Sequence, residues 1–254
     1  MNCKQIIVKR PSPAFSEGLT TVDLGRPVFK NALVQHEAYI QAMKKAGAAV
    51  KELKPDDHYP DSTFVEDPAV VTKDFAVITR PGTASRQGET ADIHHALTTF
   101  YDAFYTIEAP GTIEGGDVLQ IEDHFYVGSS DRTNEAGIQQ FKTIVEGKGY
   151  TVTAVEVNEV LHLKTGISYL GEGHVIVAGE FIDHPAFTQY EQIVLPPEEA
   201  YAANCIRVND AVIIPEGFPV AKKKIEAAGY APLEVGVSEF RKQDGGLSCL
   251  SLRF

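Results

Sequence analysis

The sequence predicts an α/β protein built from a repeated hairpin module, and two observations carry that reading. Four segments, residues 68–79, 116–127, 166–178 and 203–215, share one plan: an apolar strand, a short polar turn, and a second apolar strand ending in Gly, Pro or a polar residue. The chain also ends in Gly245-Gly-Leu-Ser-Cys-Leu-Ser-Leu252, a first strand without its partner, and begins with Ile6-Ile-Val-Lys-Arg-Pro11, a second strand without its partner. The two ends would complete a fifth hairpin. Five modules joined end to start suggest a closed ring, which leaves no exposed sheet edge. Periodicity alone leaves open an alternative, an open α/β protein with several hairpins.

Taken in order, the hairpins turn at Thr72-Lys-Asp74, Glu122-Asp123, Gly171-Glu-Gly173 and Asn209-Asp210. Gly, Asn and Asp suit tight turns because they tolerate positive φ. More helical stretches follow most hairpins, as at residues 135–148 and 221–229. No Pro/Gly/Ser-rich linker or change of composition separates the modules, so residues 1–254 are expected to form a single domain.

Composition narrows the partners. Of 254 residues, 35 are acidic and 23 basic, a net charge of −12 without any basic stripe, so a nucleic-acid backbone would be repelled and a small cation attracted. No long apolar run is free of charge, and Lys4, Lys9 and Arg10 interrupt any leader-like core near the start, so neither membrane spanning nor export is expected. Three cysteines with no Cys-x-x-Cys pair suggest neither a disulfide framework nor a zinc site, and point to a reducing, cytoplasmic setting. Dinucleotide, P-loop and serine-hydrolase motifs are missing, His36-Glu37 lacks a second histidine four positions after the first, and His94-His95 read as solvated helix residues. No metal or cofactor is called for.

Polar residues collect just before or within the first strand of each hairpin: Glu66-Asp67 before the first, Glu114 before and Asp117 within the second, His162 before the third, Asn204 within the fourth and Cys249 within the last. In a ring of like-oriented modules these positions converge at one end of the axis, bringing together a thiol, an imidazole and carboxylates. Each has an ordinary structural reading. A free Cys in an apolar strand is usually a small core residue, a His between leucines is usually a satisfied core histidine, Glu114-Gly-Gly-Asp117 can be a glycine turn, and Asp67-Pro68 a strand start. Shared placement in the repeat raises them as a group. Cys3 and Cys205 have no such support and read as structural.

Several longer motifs then resemble one family: Pro60-Asp-Ser-Thr-Phe-Val-Glu-Asp-Pro68, Ile78-Thr-Arg-Pro-Gly-Thr-Ala-Ser-Arg86, Glu114-Gly-Gly-Asp117, Phe125-Tyr-Val-Gly-Ser-Ser-Asp-Arg-Thr-Asn134, Leu161-His-Leu-Lys-Thr165, Ala202-Ala-Asn-Cys-Ile206 and Asp244-Gly-Gly-Leu-Ser-Cys249. In this order, over nearly the whole chain, they resemble the bacterial dimethylarginine dimethylaminohydrolases. The resemblance implies a five-bladed α/β propeller, or pentein, with pseudo-fivefold ββαβ-type repeats closed by pairing of the N- and C-terminal strands. It implies hydrolysis of N-omega-methylated arginine to citrulline and (di)methylamine through a covalent thiouronium on Cys249. His162 would be the general acid and base, and Glu114 and Asp67 would hold the guanidinium. Asp61, Phe64, Glu66 and the backbone of Leu19 and Gln243 would bind substrate, and Arg86 and Arg132 its carboxylate. The partner is then a small cationic amino acid, with a homodimer as the assembly to test. The competing readings are another guanidine deiminase or amidinotransferase of the same superfamily, a non-catalytic propeller that binds a partner, and a cysteine peptidase.

Overall fold

The computed structural model describes residues 3–254. The chain opens with β1 (Gln5–Lys9), α1 (Phe29–Lys45) and β2 (Ala49–Leu53). It continues through β3 (Ala69–Val71), β4 (Ala76–Ile78), α2 (Glu89–Leu97) and β5 (Phe104–Thr106), and then β6 (Val118–Ile121), β7 (His124–Ser129), α3 (Glu135–Glu146) and β8 (Thr151–Glu156). A short α4 (Leu163–Gly166) leads into β9 (Ile167–Gly171), β10 (His174–Val177) and β11 (Glu191–Val194). Last come β12 (Ile206–Val208), β13 (Ala211–Pro215), α5 (Pro219–Ala227), β14 (Ala231–Val235), α6 (Ser238–Arg241) and β15 (Leu252–Arg253).

The fifteen strands form five three-stranded sheets of one design. In each, the middle strand pairs antiparallel with the first strand of the hairpin and parallel with a third strand that returns after the connection. The fifth sheet is assembled from both ends of the chain: β1 pairs antiparallel with β15, Ile6 opposite Arg253 and Ile7 opposite Leu252, and parallel with β2. The turns are tight as expected, with Glu122, Glu172 and Asn209 all at positive φ.

The helices have readable causes. Asn134 caps α3 by accepting from Gly137 N, and Ile138, Phe141 and Val145 line its buried face at helical spacing. Helix α5 starts two residues before the expected 221, because Pro219 suits a first helical turn. Helix α1 buries Ala32, His36, Tyr39, Ile40 and Met43 along one stripe and carries Lys44 and Lys45 in its last turn. The third module has no full helix; two 3-10 turns, Gly179–Phe181 and Pro185–Phe187, make its crossover.

Five apolar cores lie between neighbouring sheets. One packs β1 and α1 against β12 and β13, the next β10 against β13 and α5, and a third joins β7 to β10. The remaining two join β4 to β7 and α3, and β1 and Leu252 to β3, β4 and α2. The cores thus link the five sheets in a cycle.

The polar positions of the repeat fall differently from expectation in one respect. Asp117, Asn204 and Cys249 were expected inside first strands; each lies in or at the end of a short helical turn immediately before that strand, at Gly115–Asp117, Pro197–Ala203 and Ser248–Leu250. A turn frees the side chains from sheet alternation, and a tight 3-10 turn can aim neighbouring residues differently.

Candidate active site

The turns preceding β3, β6, β9 and β15 meet around a small cavity of about 30 Å³, with Asp67, Glu114, His162 and Cys249 in its wall. Asp61, Phe64, Arg86 and Arg132 also line it, and Leu19, Gln243 and Asp244 stand at the same opening.

His162 Nε2 and Glu114 Oε2 share a hydrogen bond of 2.7 Å, and Gly82 N donates to the other Glu114 oxygen at 3.1 Å. Burial disfavours an imidazolium here, but the negative charges of Asp67, Asp117 and Glu114 outweigh it and raise His162 to about 9. Asp67 receives Arg86 Nη1 at 2.7 Å and Gly116 N at 3.0 Å. Burial would raise its carboxyl, but Arg86 and His162 hold it below the usual range. Gly116 is required here, since a Cβ would come within 2.7 Å of His162 Nδ1.

Cys249 sits 8% exposed at the end of the cavity. Gly246 N donates to its Sγ at 3.5 Å. Burial, then Glu66 and Asp67, push the thiol up to about 12. Cys249 therefore rests as a thiol at neutral pH, in the wall of the cavity that His162 also lines. Its turn is gripped by Asn204, whose Nδ2 donates to Ser248 Oγ at 3.1 Å and to Lys164 O at 2.9 Å, while Oδ1 accepts from Ser248 N at 2.9 Å.

One expected contact falls elsewhere, and two lie at the cavity in roles other than those expected. Glu66 does not face this cavity: its carboxylate accepts from Lys164 Nζ at 2.6 Å, Arg253 Nη2 at 2.9 Å and Ser248 Oγ at 2.8 Å, beside a separate cavity of about 160 Å³ lined by the first strands. Glu66 and Asp67 are consecutive residues of the turn before β3, and they serve different sides of the same wall. Arg86 is not an open fork. Besides Asp67 it donates to both oxygens of Glu89 and to Phe64 O, and Glu89, only 3% exposed, is pushed by burial up to about 7 despite that contact. The Gln243 side chain is engaged at the opening: with the amide oriented to satisfy its neighbours, it donates to Leu19 O and Gly18 O at 3.0 Å.

The irregular segment of residues 18–21 is tied down at the rim. Leu19 N donates to Asp61 Oδ1 at 3.0 Å, and Thr21 N and Oγ1 donate to Asp244 Oδ2. Arg132 Nη1 donates to Thr83 Oγ1. Glu89, Asn204, Asp244 and Ser248 thus belong to the surroundings of the site; of these only Asn204 had a signal in the repeat. Donor atoms of Asp67, Glu114 and His162 lie within 4.8 Å of one another, a set that could also hold a metal ion.

Fold and site have counterparts. The family model described as N,N dimethylarginine dimethylhydrolase, eukaryotic, matches residues 25–208. An N(G),N(G)-dimethylarginine dimethylaminohydrolase of Pseudomonas aeruginosa is 47% identical over 252 residues, covering 99% of each chain. The solved C249S mutant from P. aeruginosa, complexed with citrulline, superposes with a TM-score of 0.99 at 46% identity over 100% of both chains. A dimethylarginine dimethylaminohydrolase H162G adduct with S-methyl-L-thiocitrulline superposes with a TM-score of 0.98 at 47% identity, covering 99% of this chain and 100% of that one. The architecture is therefore the five-bladed pentein propeller of guanidine-modifying enzymes. Within that class, the chain belongs to the dimethylarginine dimethylaminohydrolase family.

Proposed function

We propose that the protein hydrolyses N-omega-methylated arginines, dimethylarginine and monomethylarginine, to citrulline and the methylated amine, with Cys249 as nucleophile. The observation that carries the assignment of roles is the meeting of Cys249, the His162–Glu114 pair and Asp67 around one cavity. A guanidinium carbon is a poor electrophile because its charge is delocalised, and a soft thiolate held in line suits it. Asp67 and Glu114 supply charge-assisted hydrogen bonds that fix the planar cation. The incoming cation offsets the carboxylates that hold the thiol protonated, so substrate itself favours the thiolate. The Cys249 thiol releases its proton to solvent as the substrate cation enters, its Sγ adds to the guanidinium carbon to give a tetrahedral adduct, His162 gives its proton to the leaving amine, and the C–N bond breaks to leave a thiouronium. His162, now neutral, takes a proton from water attacking that carbon, and the C–S bond breaks to release citrulline.

Arg132 would take the substrate carboxylate, and Arg86 would act chiefly by fixing Asp67, with its outer edge toward the same carboxylate. Asp61, Phe64 and the backbone of Leu19 would complete the amino-acid end, with Gln243 holding Leu19. Glu66 would act from behind, through Ser248. The reading further places the enzyme in the cytoplasm as one domain over residues 1–254, without a resident cofactor, with light scattering as the test of a homodimer. Among the described residues no helix is long and apolar enough to cross a membrane.

The test is to incubate purified protein with dimethylarginine, monomethylarginine, arginine and agmatine and to assay citrulline together with the released amine. Citrulline with dimethylamine from the first, lost in Cys249→Ser, supports the proposal. Ammonia from arginine as the main reaction would move it to an arginine deiminase. Equal turnover of agmatine would remove the carboxylate contact, and no turnover at all would favour a binding module.

A further inference from the structure

Asp117 is fully buried, yet it touches neither the site cavity nor any cation among the described residues. Its carboxylate is met only by neutral donors, drawn from two segments, the turn of residues 130–133 and the start of α4. Ser130 Oγ and Thr133 Oγ1 donate to Oδ2 at 2.6 Å each, and Leu163 N donates to Oδ1 at 2.9 Å. Those segments carry the site. Leu163 follows His162, Ser130 and Thr133 bracket Arg132, and Thr133 Oγ1 in turn accepts from Glu114 N at 3.1 Å. The end of β7 is shaped around the same group, since a Cβ at Gly128 would lie 2.6 Å from Asp117 Oδ1.

We propose that Asp117 is a positioning residue for the reaction, tying the Glu114 turn, the Arg132 turn and the His162 turn into one rigid unit and supplying a buried negative charge behind the imidazole. The proposal rests on the reading of His162 as the proton carrier. Three neutral donors stabilise a carboxylate in place but leave its charge uncompensated, and in a buried setting such a charge acts on the nearest titratable cation partner. Around His162 stand Asp67 ahead of β3, Glu114 and Asp117 ahead of β6, and the Cys249 thiol ahead of β15, with Arg86, Arg132, Asp61 and Asp244 around the same cavity. Asp67 and Glu114 are partly answered by Arg86 and by the shared proton of His162. Among charges, Asp117 is answered by His162: burial raises its carboxyl, and the imidazolium opposes that rise. Asp117 therefore keeps the imidazole protonated for the step that needs an acid, while its hydrogen bonds hold that imidazole in line with Glu114.

Two variants separate the charge from the ties. Asp117→Asn keeps an acceptor for Leu163 N and a similar shape but removes the charge, so the alkaline limb of the kcat profile should move toward acid by on the order of one pH unit. Its kcat at neutral pH should fall roughly tenfold or more, with KM for dimethylarginine within about twofold of the unmodified protein. Thr133→Val keeps the charge but cuts the link from Asp117 to Glu114 N, so kcat should fall roughly several-fold with the alkaline limb unmoved. An Asp117→Asn protein with ordinary kcat and an unmoved limb, or whose losses only follow a lowered melting temperature, overturns the proposal. If Asp117→Asn does not fold, ordinary kcat in Thr133→Val overturns it instead. His162→Gly is the control: if it turns over normally, the proton-carrier reading fails, whereas an inert His162→Gly beside a normal Asp117→Asn sinks only the role of Asp117.

Discussion

Cys249 and Arg86 make different demands on their surroundings, and both demands can be tested one side chain at a time. Because burial and two carboxylates push the Cys249 thiol up to about 12, its alkylation by neutral iodoacetamide should be slow at pH 7 and keep rising to at least pH 10 without a plateau. A plateau near pH 7 would show a preformed thiolate. Arg86 and Arg132, expected from sequence as a matched pair, should behave differently. Arg86→Ala leaves Asp67 and Glu89 buried without their cation, a loss on the order of 3–5 kcal/mol that a melting curve would show. Arg132→Ala should keep the melting temperature and chiefly raise KM, by roughly tenfold to a hundredfold for a lost ionic contact to a carboxylate. Similar melting of both variants would contradict the burial argument. The sequence could not separate the two arginines, because the difference lies in Glu89, which no repeat position or motif marks.

At the scale of elements, the hairpins were legible and their third strands were not. The first two strands of each module are mostly buried and read as apolar runs, whereas β2, β8 and β14 bury one residue at most and carry too weak an alternation to stand out. Helix α1 was equally faint, since its buried stripe includes a histidine. Asp117, Asn204 and Cys249 lie in or beside short helical turns where the sequence suggests first strands. That difference has a consequence at Asn204, which appeared in the sequence only as the fourth member of the repeat. It satisfies Ser248 N and Lys164 O, both held inside, so Asn204→Ala should leave them unpaired at a cost of about 1–3 kcal/mol each. We expect a melting temperature lower by several degrees and a kcat reduced at least as strongly as stability, because the turn bearing Cys249 loosens. Activity unchanged in a destabilised protein would show that the turn holds its shape without Asn204.

For the whole molecule, closing the ring places helix α1 over the seam formed by the two chain ends, and this buries His36 at 1% exposure with Nε2 lacking any hydrogen-bond partner. Burial, then the charge of Arg10, lower His36 to about 4 from an ordinary 6.5. The unfolded chain therefore binds a proton here between pH 6.5 and 4 when the folded protein does not, so this group's contribution is complete above about pH 6.5 and is lost as pH falls toward 4. The full span corresponds to about 3 kcal/mol. Two other groups have the opposite sign. His162, raised to about 9, stabilises fully below 6.5 and loses that contribution as pH rises through 9. Glu89, raised to about 7, favours the folded state at low pH and loses that between 4.5 and 7. The net acid limb is thus a difference, and subtraction isolates the histidine: His36→Leu, which fills the site next to Phe240 without a titratable nitrogen, should melt less differently between pH 7 and pH 4.5 than the unmodified protein does. Because Glu89 is common to both proteins it cancels, and parallel pH dependences in the two would mean that the histidine at the seam carries no proton linkage.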